Sequence, residues 1–191
     1  MGTWFRSVSC AFAAVLVACS GSGETAAAPA ERCGPFPQQS GAATVSAGVR
    51  FEDATTEQAQ RWTMPPGLSF EVLPPVPHGR TVEITGVLRN TGAVEVDAIY
   101  LTGGAMFRST NPFGLEVDAP LRPIEVPETP EVYPMPRRAV LPAGSEVRFV
   151  VSVCADAYEH TPGATSRVRW RLELWNEPRP QGTTTITWPS S

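Results

Sequence analysis

Three arginines at alternating positions are the side chains best suited to binding chemistry. Arg167, Arg169 and Arg171 belong to a run of strictly alternating polar and apolar residues, which predicts a β-strand. On a strand they project from one side about 7 Å apart. At that spacing, guanidinium groups can clamp an anionic glycan, a lipid headgroup or an acidic partner strip. The structural alternative is that they pair across strands with acids such as Glu83 or Glu146 and keep a sheet face soluble.

No catalytic constellation accompanies these arginines. The sequence has no Gly-x-Ser-x-Gly elbow, His-Glu-x-x-His helix, phosphate loop or Rossmann glycine pattern. His78 and His160 both fall in turn contexts, where a histidine is more often solvated than catalytic. A calcium or thiol site made from Asp156 and Glu159, near Cys154 and His160, is the less favoured alternative. We therefore predict a non-enzymatic chain without catalytic residues, metal ligands or a cofactor.

The amino-terminal residues have the layout of an export signal. Arg6 and the free amino terminus precede an apolar stretch over residues 8–17, which is too short to span a bilayer core. The stretch ends in Leu16-Val17-Ala18-Cys19, which closely resembles the lipobox of bacterial lipoproteins, where signal peptidase II cleaves before a cysteine carrying diacylglycerol. An ordinary secretory signal cut within residues 26–30 is the alternative.

The lipobox resemblance implies a location. Residues 1–18 would be a signal peptide and residues 19–40 a lipidated cysteine followed by a flexible tether. Two or more acyl chains on Cys19 give stable anchoring. We expect the domain to lie outside the cytoplasm, in the bacterial cell envelope, with a membrane as its partner through the lipid.

Two cysteines remain after processing. Cys10 leaves with the signal and Cys19 carries the lipid, which leaves Cys33 and Cys154. In an oxidising compartment we expect a disulfide between them, which would close a loop of about 120 residues and stabilise the fold by a few kcal/mol. The alternative is two free thiols, with Cys154 packed as a small apolar residue at a strand end.

The charge balance bears on the partner. All 15 basic residues are arginine, and removing Arg6 leaves 14 of them against 19 acids, a net charge of −5. This argues against nucleic acid as a partner, because phosphate binding needs a concentrated basic surface.

Alternation with period two predicts an all-β domain over residues 41–191. Seven segments show it, namely residues 43–51, 68–72, 80–89, 94–101, 146–154, 167–175 and 183–188. Ile84, Phe149 and Trp170 are predicted to face inward. The alternation slips near Ala98, which indicates either a bulge or a strand buried on both faces.

One helix is predicted, over residues 53–61. Asp53 is the expected N-cap, and Pro65-Pro66 prevents extension beyond Met64. The absence of alternating helices favours an antiparallel sandwich or barrel of seven or eight strands.

Two turns carry a resemblance to bacterial immunoglobulin-like modules. Leu88-Arg-Asn-Thr-Gly-Ala-Val-Glu-Val96 resembles their strand-turn-strand, in which Asn-x-Gly reverses the chain. Leu141-Pro-Ala-Gly-Ser-Glu-Val147 resembles their entry into a later strand. The resemblance covers roughly residues 80–155 and implies an immunoglobulin-like antiparallel β-sandwich. The antibody-type Cys…Trp…Cys pin is absent.

A proline-rich insertion is predicted over residues 103–140. Six of its prolines are expected to forbid a central strand, and they are Pro120, Pro123, Pro127, Pro130, Pro134 and Pro136. Such a segment is either a recognition strip or, as the favoured alternative, an extended flap across the sandwich edge.

The leading functional hypothesis is a non-enzymatic binding or scaffolding module with a protein or glycan partner in the envelope. It rests on analogy with the fold. A proteinase-inhibitor-like or chaperone-like sandwich is the alternative, as is an accessory domain of an envelope enzyme complex.

Overall fold

The computed structural model describes residues 38–102, 111–123, 135–176 and 178–190, all within one compact unit, Arg32–Ser191. Its strands are β1 Gln38–Val45, β2 Arg50–Asp53, β3 Leu68–Val72, β4 Val76–His78, β5 Thr81–Asn90, β6 Val96–Thr102, β7 Phe113–Val117, β8 Met135–Leu141, β9 Glu146–Cys154, β10 Thr165–Leu172 and β11 Gln181–Thr187. The described helices are α1, Thr56–Arg61, and a 3-10 turn, Ala155–Ala157. The predicted all-β class is confirmed, but the described residues form eleven strands where seven or eight were expected.

The strands form three antiparallel sheets. One has the order β1-β9-β5-β3, with β4 also beside β5; the others are β11-β10-β7 and β2-β8-β6. One hydrophobic cluster draws side chains from all three sheets. Ile84 and Phe149 are buried in it as predicted, whereas Trp170 is half-buried and packs against it.

Strand β6 is buried on both faces. Ala98, Ile99 and Tyr100 are consecutive and all buried, and the pairing with β8 runs without a break from Val96 to Thr102. The slip in alternation therefore reflects two-sided burial and not a bulge. The backbone N–H of Leu101 donates to the carbonyl of Glu173 at 2.9 Å, so β6 also contacts the chain just after β10.

The single strand predicted over residues 43–51 is instead the end of β1 and the start of β2. The chain turns between β1 and β2, where Gly48 adopts a φ of +84°. Because the turn breaks the alternation, Val45 and Phe51 are both exposed, 42% and 39% respectively.

The predicted helix cap is also wrong. Thr55, not Asp53, caps α1: its hydroxyl accepts the N–H of Gln58 at 3.1 Å, and the Gln58 side chain accepts the N–H of Thr55 at 2.8 Å. Asp53 ends β2, where it pairs with Arg137 at 2.8 Å.

Two strands lie inside the range predicted as an irregular insertion. β7 precedes Pro120, and β8 lies in the middle of its sheet, between β2 and β6. Pro136 is tolerated because it sits near the start of β8, where its carbonyl accepts the N–H of Ala54 at 3.1 Å. The expectation that prolines exclude a central strand is therefore wrong for residues 135–141. Pro127, Pro130 and Pro134 lie outside the described residues.

The two turns that carry the family resemblance meet at one buried amide. The side chain of Asn90 donates to the carbonyls of Val94, Leu141 and Pro142 at 2.8–3.1 Å. Its oxygen accepts the N–H of Gly92 at 2.9 Å. Four hydrogen bonds from a fully buried side chain fix the end of β5 against the turn that leads into β9.

Candidate binding face

The three arginines lie together on the solvent side of the β11-β10-β7 sheet. Val168 and Leu172, which alternate with them on β10, have no exposed surface. Arg167, Arg169 and Arg171 are all exposed. The predicted phase of this strand is therefore confirmed. The outward side of these three strands is referred to below as the arginine face.

A shallow groove of about 490 Å³ runs along this face. The side chains that line it on the outward rows are Glu116, Arg169, Arg171, Glu173, Gln181 and Thr183. Gly114 lies opposite Arg171 in the pairing of β7 with β10. Because Gly114 has no side chain, the β7 wall is low there. The volume falls in the range of small-ligand sites.

Two of the arginines form exposed ion pairs. Arg169 Nη2 is 2.5 Å from Glu116 Oε1 across the β7–β10 pairing, and Arg171 Nη2 is 2.5 Å from Glu173 Oε1. The second oxygen of Glu173 lies 3.0 Å from Arg179 Nη1.

The partner acids differ from those expected. Glu146 pairs with Arg89 and Arg148, while Glu83 lies 3.3 Å from His78. All five of these residues belong to the five-stranded sheet, away from β10.

Arg167 has no ion-pair partner among the described residues. Asp118 stands opposite it, and its backbone N–H donates to the Arg167 carbonyl at 2.9 Å. The side chains of these two residues form no ion pair. Strand β11, on the other side of Arg167, carries no charged residue. Among the described residues, the acids that pair with the cations of this face come from β7 and from the chain just after β10, and none comes from β11.

The cysteine predictions fall partly outside the described residues. Cys19 and Cys33 both lie there. Cys154 ends β9, is 3% exposed and is disulfide-bonded. Its pairing with Cys33 stays a prediction.

The other candidate side chains contact different neighbours. Asp156 pairs with Arg80, and the ring of His160 stacks on Trp188 with centroids 4.6 Å apart. The backbone N–H of Glu159 donates to the carbonyl of Pro120 at 2.8 Å. Within the described ranges, no group of three or more His, Cys, Asp or Glu side chains is placed to hold a metal ion, and no helix is long and apolar enough to cross a membrane.

Sequence reasoning missed the β7 wall of the groove. Phe113, Leu115 and Val117 alternate with Gly114 and Glu116, which is a usable strand signal. It was overlooked because it lies within the range assigned to the insertion.

Comparison with known proteins gave no relative: no protein-family model matches the chain, and no curated protein matches it.

Proposed function

We propose that this chain is a non-enzymatic lipoprotein of the bacterial cell envelope whose β-domain binds another envelope component through the arginine face. One observation carries the proposal. The lining of a groove of about 490 Å³ on the solvent side of a sheet includes guanidinium and carboxylate groups, and beside it lies Arg167, which has no ion pair among the described residues.

Exposed ion pairs suit exchange with a partner. The side chains of Arg169 and Glu116 are 60% and 68% exposed. Such pairs contribute little to stability in water, so a carboxylate from a partner can replace Glu116 at small cost. Bidentate geometry then makes the guanidinium group selective for carboxylate or phosphate.

An immunoglobulin-like sandwich is the proposed architecture. It is supported by Asn90, which fastens together the two turns that resemble that family. It is also supported by the chain path, because β5 and β6 flank the first turn and belong to different sheets.

Anchoring is proposed from the lipobox and is tested by Cys19→Ser. We expect this variant to leave the membrane fraction and lose palmitate labelling, because its acyl attachment is gone. Cys10→Ser is the matched control, since it falls inside the proposed signal and should not change either readout. A Cys19→Ser protein that remains bound and labelled would contradict the lipoprotein assignment.

The disulfide is proposed between Cys33 and Cys154. Non-reducing peptide mapping of the exported protein should yield one peptide pair containing both residues. Recovery of both as alkylated thiols would exclude the pairing.

The binding face is tested by replacing Arg167, Arg169 and Arg171 together with serine. The full-length variant, tagged and purified from solubilised envelopes, should lose its co-purifying partner. Capture by the wild type should weaken toward that of the variant as salt is raised, because salt screens the arginine contacts. The matched control replaces Arg50, Arg89 and Arg148, which removes the same charge from other faces. Equal capture by wild type and the face variant would refute the proposed function.

A further inference from the structure

Strand β11 lies at the end of its sheet, and its outer edge is open among the described residues. The Leu172 N–H donates to the Pro180 carbonyl, and the Trp188 N–H donates to the Ala164 carbonyl, both at 2.9 Å. The register between these points has no break. In an antiparallel pair, alternate residues point toward and away from the partner strand. The backbone groups of Gln181, Thr183, Thr185 and Thr187 therefore point away from β10, where no described strand lies.

This edge lacks the usual protections against strand pairing. Proteins protect sheet edges with charges, proline or bulges. Glu52 on β2 and Glu71 on β3 supply charges, Pro77 interrupts β4, and the register of β1 shifts between Ser40 and Thr44. Strand β11 has seven residues, no charge, no proline and no register shift.

We propose that β11 takes up an extended segment of a partner protein by strand addition, and that this segment carries acidic side chains at alternate positions. The inference rests on the proposed function in that it uses the arginine face. It adds the class of partner, an acidic polypeptide in extended conformation.

The outward row of side chains determines the charge of the partner. Thr183 and Thr185 lie directly opposite Arg169 and Arg167 in the register. Neighbouring strands are about 4.8 Å apart. An added strand would be separated from the arginines only by these short side chains. Carboxylates on its outward row would then meet guanidinium groups with no competing acid on β11 between them.

The inward row favours an apolar residue between the acids. The indole of Trp170 lies over Gly182: its Cζ2 and Nε1 atoms are 2.6 Å and 3.2 Å from the place where a Cβ on Gly182 would be. The ring is half-buried and covers the β11 backbone. An apolar side chain from an added strand would pack beside it, which predicts an acidic–apolar–acidic pattern in the partner.

The probe is a short, fluorescently labelled peptide in which Glu and Val alternate, titrated into the full-length protein in detergent and followed by anisotropy. We expect saturable binding that weakens with salt. Control peptides replace Glu by Lys, or group the same residues in blocks without alternation, and should bind at least tenfold more weakly.

Two variants at one position separate backbone pairing from side-chain contact. Thr185→Pro removes an N–H that points to the open edge and leaves the bonds to β10 intact, so peptide affinity should fall at least tenfold. Thr185→Val keeps the N–H and should bind like wild type. Amide exchange of the wild-type protein provides a readout independent of both variants: the N–H groups of Thr183, Thr185 and Thr187 should be protected only when peptide is bound.

The outcomes separate this inference from the proposed function. If the serine variant loses envelope capture while the alternating peptide does not bind, or binds without protecting these amides, strand addition is wrong and the binding face stands. If the peptide binds and protects these amides while wild type and the serine variant capture the envelope partner equally, strand addition stands and the proposed function fails. Protection of the same amides by concentration alone would identify a second copy as the occupant and overturn the acidic partner.

Discussion

Two charged faces of this protein use the same residue types with different results. On the five-stranded sheet, Arg89 donates to Glu146 at 3.1 and 2.9 Å and lies 3.3 Å from Glu71. Hydrogen bonds from Arg148 and then from Arg89 lower the pKa of Glu146. On the arginine face, Arg169 and Arg171 have one acid each and Arg167 has none among the described residues.

The difference comes from the charges on the neighbouring strands. β5 lies between β3 and β9, and both supply an acid to Arg89, namely Glu71 and Glu146. β10 is also an interior strand, but of its two neighbours only β7 supplies an acid, because β11 is an uncharged edge strand. Alternating arginines therefore keep one kind of face soluble and leave another available to a ligand.

The largest expected contrast lies beneath the two faces. Phe149 lies beneath the charged face of the five-stranded sheet and is 2% exposed. Its replacement by alanine should lower the free energy of unfolding by about 3–5 kcal/mol, a large part of a domain's stability. Trp170→Ala should lower the free energy of unfolding by less, because the ring is only half-buried. It should also weaken binding of the alternating peptide. Urea unfolding measures both. Equal losses would contradict the picture of Trp170 as an edge side chain.

Two glycines covered by aromatic rings give a second, smaller contrast. A Cβ on Gly86 would overlap the ring of Phe70 and lie 3.3 Å from Phe113. The ring of Phe70 packs against that of Phe113, which has no exposed surface. Gly86→Ala should therefore reach the upper end of the usual overpacking cost, about 3 kcal/mol. Gly182→Ala should cost about 1 kcal/mol, because the Trp170 indole can turn toward solvent at the edge.

Calorimetric melting and tryptophan fluorescence check this pair. The emission of Gly182→Ala should shift to longer wavelength, and that of Gly86→Ala should not. If Gly182→Ala destabilised the protein more than Gly86→Ala, the Trp170 indole could not turn away, and the β11 edge would be more rigid than we infer.

The sequence was informative where burial is one-sided. β9 and β10 could be predicted because their apolar residues alternate cleanly, and the arginine face followed from the same pattern. The acids on that face could not be predicted, because Glu116 reaches Arg169 from 53 residues away. The groove depends on that same long-range pairing, which brings Gly114 opposite Arg171. β8 could not be predicted, because prolines disfavour a central strand and only the pairing with β2 and β6 shows that Pro136 lies near the start of β8.

A third contrast separates the core from both faces by pH. Burial raises the pKa of Tyr100 to about 12, with Arg137 acting weakly in the opposite direction. An unfolded tyrosine ionises near pH 10. The contribution of neutral Tyr100 to stability should therefore be complete below pH 10 and be lost as pH rises toward 12. Over this range the free energy of unfolding should fall by roughly 3 kcal/mol.

Arginines remain charged through this range, so neither face contributes to the loss. Tyr100→Phe should flatten most of the alkaline slope measured by urea unfolding. Tyr158, whose pKa burial also raises, accounts for part of the remainder. An unchanged slope in both Tyr100→Phe and Tyr158→Phe would place the loss outside the core.

The smallest expected effect tests the comparison most directly. Glu116→Gln removes the acid that occupies Arg169, while Glu146→Gln removes the acid shared by Arg89 and Arg148. Both variants change the net charge equally. On the arginine face, the released guanidinium group has no second acid within ion-pair distance in the part of the chain that the structure describes. Glu116→Gln should therefore tighten binding of the alternating peptide about threefold at low salt, and this gain should be lost as salt screens it. The arginines freed by Glu146→Gln belong to the five-stranded sheet and not to the sheet that contains β11. Glu146→Gln should therefore leave peptide affinity unchanged. If both variants tighten the peptide equally, the gain reflects overall charge, and the two faces do not differ in the way their ion pairs indicate.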